Sequence, residues 1–313
     1  MSTSTVAEQR KFIVIPPGEG YAVWSAGDRM TFKIRAEHTA GDFVLFETEI
    51  MPGGGPPPHV HHREDEMFYV LDGQITFLRE DATFTAGKGA AVFLPRGKVH
   101  TFTNKTDKPA RALVWASPSN FESFMMEFGV PCAGSPTPPP SDPAMLERLL
   151  KACDRYGLEI LPNHKPMAFL GSPKPPKALA VLGQSVTLNI IGKQTNERLC
   201  AATLEVAPGP GVPPHLHRRE DEIFYVTAGA LEFRIDGVRH VCETGSTAYV
   251  PRGTFHGFHA VGDTPAQVVS LHTPAGFEHF FTEMGGLTIH GAEPTEPAAI
   301  GRMLEKHGME MPA

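Results

Sequence analysis

Pro58-His59-Val60-His61-His62-Arg63-Glu64-Asp65-Glu66 places two imidazoles one residue apart and a carboxylate five residues after the second. Extended backbone points residues i and i+2 to the same face, about 6–7 Å apart. His59 and His61 therefore converge on one point while Val60 turns away. Four polar residues follow, enough for a tight turn, and Glu66 opens the apolar run Met67-Phe68-Tyr69-Val70-Leu71, which stops at Asp72-Gly73. The turn brings the carboxylate back to the histidines. Downstream, Pro95-Arg96-Gly97-Lys98-Val99-His100 supplies a fourth candidate ligand, His100, at the head of another alternating strand.

The arrangement recurs 156 residues later as Pro214-His215-Leu216-His217-Arg218-Arg219-Glu220-Asp221-Glu222, followed by Pro251-Arg252-Gly253-Thr254-Phe255-His256. His59, His61, Glu66 and His100 correspond to His215, His217, Glu222 and His256 without an insertion. The register begins near Gly27 and Gly183 and runs on to Phe121, Glu122, Phe124 and Glu127, which match Phe277, Glu278, Phe280 and Glu283. An ungapped offset of that length is the mark of tandem duplication. Two domains are expected, 1–160 and 161–313, a pseudo-dimer within one chain that pairs further as a homodimer in one reading. Each tetrad of three imidazoles and a carboxylate suits a divalent transition metal, Fe, Mn, Co, Ni, Cu or Zn, one per domain.

The 313 residues suffice for two cores of ordinary size. With 41% hydrophobic residues the composition is that of a folded soluble protein. No apolar run approaches the roughly 20 residues that cross a membrane, and the first ten residues lack a signal core, so a cytoplasmic location without a membrane partner is expected. A net charge of −7 without a basic cluster argues against nucleic acid and favours a small-molecule partner. Cys132, Cys153, Cys200 and Cys242 lack CxxC spacing and are expected to be thiols.

Within each half, short runs of Val, Ile, Phe, Tyr and Thr alternate with turns such as Leu71-Asp72-Gly73 and Ile235-Asp236-Gly237. This pattern predicts an all-β fold of sandwich or barrel type. Helices follow each barrel: short ones over Phe121–Phe128 and Phe277–Met284, then longer ones. The longer helix of the first half opens at Ser141-Asp142-Pro143 and carries Met145, Leu146, Leu149, Leu150 and Cys153 on one face; that of the second opens at Thr295-Glu296-Pro297 and turns Ile300, Met303 and Leu304 inward. The first 26 residues read as a leader, irregular over Pro16–Gly20, and Leu161–Ala178 as an interdomain linker.

Each half resembles a cupin. That family's first motif is matched by Gly53, His59, His61, Glu66 and Gly73, and its second by Gly89, Pro95, Gly97, His100 and Asn104. In the second half Gly209, His215, His217, Glu222 and Gly229 match the first motif. Gly245, Pro251, Gly253 and His256 match the second, with Ala260 in place of Asn. The resemblance implies two tandem jelly-roll barrels. Among bicupins, Gly-Gly-Gly-Pro-Pro-Pro-His at 53–59, His61–Glu66 and Phe68-Tyr69-Val70-Leu71 are similar to quercetin 2,3-dioxygenase-like proteins. In that family a divalent metal on three histidines and a glutamate serves the O₂-dependent opening of a flavonol ring. This implies His59, His61, Glu66 and His100 as ligands and gives Glu66 a catalytic role, accepting the substrate's hydroxyl proton.

Phe68, Val70 and Phe102, with Phe224, Val226 and Phe258, are expected on the strand faces that carry the ligands, which favours an apolar or aromatic ligand. His62, Arg63, Arg218 and Arg219 read as a solvated turn, and Glu64, Asp65, Glu220 and Asp221 as surface charges. His38, His164, His240, His259, His272, His279, His290 and His307 match no ligand position and read as surface or ordinary core. The leading function is a metal-dependent dioxygenase of phenolic or enolic aromatics, with O₂ as co-substrate. A non-oxidative metalloenzyme (decarboxylase, isomerase or lyase) and a non-enzymatic ligand-binding bicupin are the alternatives.

Overall fold

A computed structural model describes residues 10–25, 27–135, 137–140, 143–170, 176–289 and 296–312. The chain divides into two compact units, one built on Glu19–Lys174 and the other on Lys11–Gly18 with Pro175–Ala313.

The first unit is two facing sheets. One has seven strands in the order Val130–Pro131, Tyr21–Ser25, Asp28–Ile34, Val44–Ile50, Ala110–Ser117, Asp65–Asp72, Ala91–Leu94; the other has six, in the order Leu158–Ile160, His59–His61, His100–Thr103, Gln74–Arg79, Ala82–Gly87, Ala168–Phe169. Phe68, Phe77 and Phe102 meet in the core, with the Phe68 ring 5.0 Å from Phe102 and 5.4 Å from Phe77.

The second unit repeats this plan. Its seven-stranded sheet runs Ile13–Ile15, Thr247–Val250, Asp221–Ala228, Ala266–Thr273, Cys200–Val206, Gln184–Ile190, Ala178–Val181. Its five-stranded sheet runs Val238–Glu243, Ala230–Ile235, His256–Ala260, Val212–His217, Met309–Glu310. Phe224, Phe233 and Phe258 take the places of the first unit's three rings. The expected all-β fold of two barrels with short helices behind them is the observed one.

Helices α1 (Asn120–Phe128) and α2 (Pro143–Tyr156) follow the first barrel, α3 (Glu278–Ile289) and α4 (Pro297–Lys306) the second. The caps expected at Ser141-Asp142 and Thr295 lie outside the described residues. Helix α2 buries Ala152 and Cys153 and lays Leu149 and Tyr156 on the core, while Leu146 and Leu150 stay more than half exposed. Its inward stripe therefore runs at 149, 152, 153 and 156, at helical spacing, and leaves out two leucines expected on it. In α4, Met303 and Leu304 pack on the core as expected.

Two segments differ from their sequence reading. Ile13–Ile15, expected as leader, is an edge strand paired with Thr247–Tyr249, because Phe12-Ile13-Val14-Ile15 is an apolar β-branched run and Phe12 and Val14 pack on the second core. Within the expected linker, Ala168–Phe169 pairs in parallel with Ala82–Thr83.

Candidate metal centres

His59 and His100 face each other in register on adjacent antiparallel strands, as do His215 and His256. The approach depends on glycine: Gly55 (φ 114°) and Gly211 (φ 70°) are left-handed, and a Cβ on either would run into the carbonyl oxygen of Phe102 or Phe258. Glu66 and Glu222 enter from the larger sheet, opposite Leu94 and Val250. In each unit the four donor atoms lie within 4.8 Å of one another, and all eight residues are buried.

The imidazole orientations are fixed from behind. Nδ1 of His59, His100, His215 and His256 lies 2.9–3.1 Å from the carbonyl oxygens of Pro57, Lys98, Pro213 and Thr254. A carbonyl only accepts, so each Nδ1 carries a hydrogen and each Nε2 is the atom turned to the centre. Nε2 of His59 is then 3.1 Å from Nε2 of His61, and Nε2 of His100 is 3.1 Å from Oε2 of Glu66. In the second unit Nε2 of His256 and Oε2 of Glu222 face each other at 2.7 Å, both without a hydrogen-bond partner. Three imidazole nitrogens and a carboxylate gathered this closely in a buried space need a proton or a cation between them, and the donor set fits a divalent ion.

The electrostatics agree. Burial, with His100 and His61 beside it, holds His59 well below the usual imidazole range. Burial, with His256 and His217, holds His215 at about 3. Burial raises the carboxyl of Glu66, but His61 and His100 outweigh it and bring it down to about 2. The same balance puts Glu222 well below its usual value. Neutral His59 and His215 and the ionised carboxylates are in the forms that bind metals, whereas Glu222 and Glu220 outweigh burial at His217 and raise it.

Glu64, Asp65, Glu220 and Asp221, expected at the surface, are buried. Glu64 lies 3.5 Å from Nδ1 of His61 and Glu220 3.7 Å from Nδ1 of His217, close enough to act on each ring electrostatically without a hydrogen bond. Asp65 accepts from the backbone N–H and guanidinium of Arg96, and Asp221 from those of Arg252. The readable signal was that both the Asp and the Pro-Arg-Gly recur at the 156-residue offset. His62, Arg63, Arg218 and Arg219 are exposed as expected. His290 lies outside the described residues, and His38, His164, His240, His259, His279 and His307 are half-buried or exposed.

His272 departs from its reading. It is buried and its Nε2 lies 2.9 Å from Oε1 of Glu222.

Above each tetrad is a cavity. The first, about 140 Å³, is bounded by Phe68, Phe102, Phe121 and Phe124 with Asp28 and Thr48 on one wall; the second, about 280 Å³, by Phe224, Phe258, Phe277 and Phe281 with Ser270 and His272. The expected aromatic faces thus line both cavities, while Val70 and Val226 are core residues beside them. Burial pushes the Asp28 carboxyl up to about 6, although it accepts from backbone N–H groups of Met51 and Gly55.

Fold and site together define a double-barrel protein with one His/Glu metal-binding site in each domain. Residues 46–116 and 202–272 each match the Cupin domain family. SchB of Streptomyces halstedii is 32% identical over 95 residues, 30% of this chain and 67% of that protein. Quercetin 2,3-dioxygenase of Bacillus subtilis (strain 168) is 26% identical over 151 residues, 47% of this chain and 44% of that one, so the chain spans under half of that relative's length. In fold the chain is similar to oxalate decarboxylase of Lactobacillus farciminis, with a TM-score of 0.58 at 16% identity over 86% of this chain and 90% of that one. The chain belongs to the cupin superfamily and is a bicupin. Among the described residues no helix is long and apolar enough to cross a membrane.

Proposed function

We propose that each barrel holds one divalent transition-metal ion through its tetrad, and that the protein is a dioxygenase of phenolic or enolic aromatic compounds. The observation that carries this reading is a buried tetrad at the floor of a phenylalanine-walled cavity. When bound, such an ion supplies Lewis acidity, open coordination positions and, if redox-active, the electron transfer an oxygenase needs. The chain supplies the rest. Phe68, Phe102 and Phe121 exclude water and orient a flat ring over the tetrad. Glu66, buried beside the centre, is the carboxylate assigned to take the proton of a substrate hydroxyl there. The resemblance in sequence to quercetin 2,3-dioxygenase supports the substrate class.

The test is oxygen uptake with flavonols, catechol-like compounds and enolic aromatics. Glu66→Gln is expected to lose turnover while keeping part of its metal affinity, because an amide coordinates weakly and cannot accept a proton. Glu222→Gln is expected to cost less. Product formed at an unchanged rate without oxygen would replace this reading with a non-oxidative one.

A further inference from the structure

The two barrels share their tetrads but not the layer behind the glutamate. Four inward positions on the two central strands of the first barrel are Val44, Phe46, Val114 and Ala116, all buried and apolar; the second barrel has Cys200, Ala202, Ser270 and His272 there, all buried. Ala116 stands opposite Glu66 in the strand pairing, and His272 stands opposite Glu222. The exchange is compensated in volume. In the first barrel the Phe46 ring stacks on Phe121 at 5.3 Å; in the second, Ala202 leaves that space and the His272 imidazole lies 4.5 Å from Phe277.

The contacts of His272 have a direction. Glu222 is a carboxylate and only accepts, so the hydrogen between them sits on Nε2 of His272. Behind it, the Cys200 sulfur lies 3.8 Å from Nδ1 and the Ser270 hydroxyl 3.5 Å from Nε2. The hold is on Oε1 alone. Oε2, the other oxygen, faces His256 at 2.7 Å and His217 at 3.3 Å, inside the tetrad.

We propose that His272 is a positioning residue that clamps Glu222 by its outer oxygen and fixes it as a one-oxygen metal ligand, whereas Ala116 leaves Glu66 without this restraint. The two sites are then unlike by construction: the second is the rigid, tighter metal site, and the first keeps a glutamate able to rotate between ligand and proton acceptor. This inference rests on both tetrads binding metal. It goes beyond that reading in assigning different duties to two identical ligand sets.

The experiment is a Co(II) titration of the full-length, metal-free protein, reading the two affinities and the visible absorption of the bound ion. His272→Leu is expected to weaken one site about 10- to 100-fold, the range for losing a ligand-orienting partner, and to shift that site's absorption while the other is unchanged. His272→Gln, which keeps an N–H donor, is expected to recover most of both. The reciprocal double variant Phe46→Ala/Ala116→His makes room for an imidazole opposite Glu66 and is expected to tighten the first site; it reports even if His272→Leu does not fold. Parental affinities and spectra in His272→Leu, or a double variant that folds and leaves the first site unchanged, would overturn the clamp. A parent protein that takes up no Co(II) would overturn the metal reading itself and the clamp with it.

Discussion

Arg96 closes on Asp65 with three hydrogen bonds, its backbone N–H at 2.8 Å and its guanidinium nitrogens at 2.7 and 3.0 Å. The contact ties the turn before Glu66 to the turn before His100, so ligands 34 residues apart in sequence share one brace. Arg252 and Asp221 repeat it in the second barrel.

Removing the arginine takes two guanidinium donors away from a buried aspartate. Arg96→Ala is therefore expected to cost about 3 kcal/mol of stability and about ten-fold in metal affinity at the first site. Urea unfolding with a metal titration checks both. Unchanged metal affinity at the first site in Arg96→Ala would mean that the brace does not position the ligands.

Asp28 makes the first barrel sensitive to pH. Its folded value of about 6 stands above the ordinary 3.8. Between those values the folded protein binds more protons at this site than the unfolded chain, so stability falls as pH rises from 4 to 6. The difference amounts to about 3 kcal/mol, absent below the lower value and fully felt above the higher. Asp28→Asn, whose amide oxygen still accepts from Met51, is expected to remove this slope and to raise stability at pH 7. Unfolding free energies at pH 4, 5, 6 and 7 for parent and variant are the check.

The aromatic wall should matter to ligand more than to metal. Phe102→Leu keeps an apolar side chain and is expected to cost no more than about 1.5 kcal/mol while raising KM for an aromatic substrate and sparing the Co(II) spectrum. Steady-state kinetics beside the spectrum separates the two effects. A changed spectrum would place Phe102 among the groups that shape the tetrad.

The tetrads were legible because their geometry is local: period-two spacing in His-x-His, a turn, and a second strand headed by histidine, each written twice. Asp65 and Glu64 were not, because a run of polar residues in a turn reads as solvated until Arg96 arrives from 31 residues away to bury it. His272 escaped for a different reason. It has no counterpart at Ala116, and its meaning lies in a cross-strand pairing with Glu222 that no spacing within its own strand reveals. At Ile13–Ile15 the prolines that follow give the segment the look of irregular chain, although its β-branched run describes a strand.

Two metal sites, each with its own tetrad, make metal content the most direct test. Protein loaded with Mn(II) or Co(II), freed of loose ion and analysed for metal is expected to hold two ions per chain. His59→Ala/His61→Ala and His215→Ala/His217→Ala should each hold one, and the combination none. Two ions retained in either double variant, or none in the parent, would contradict that assignment.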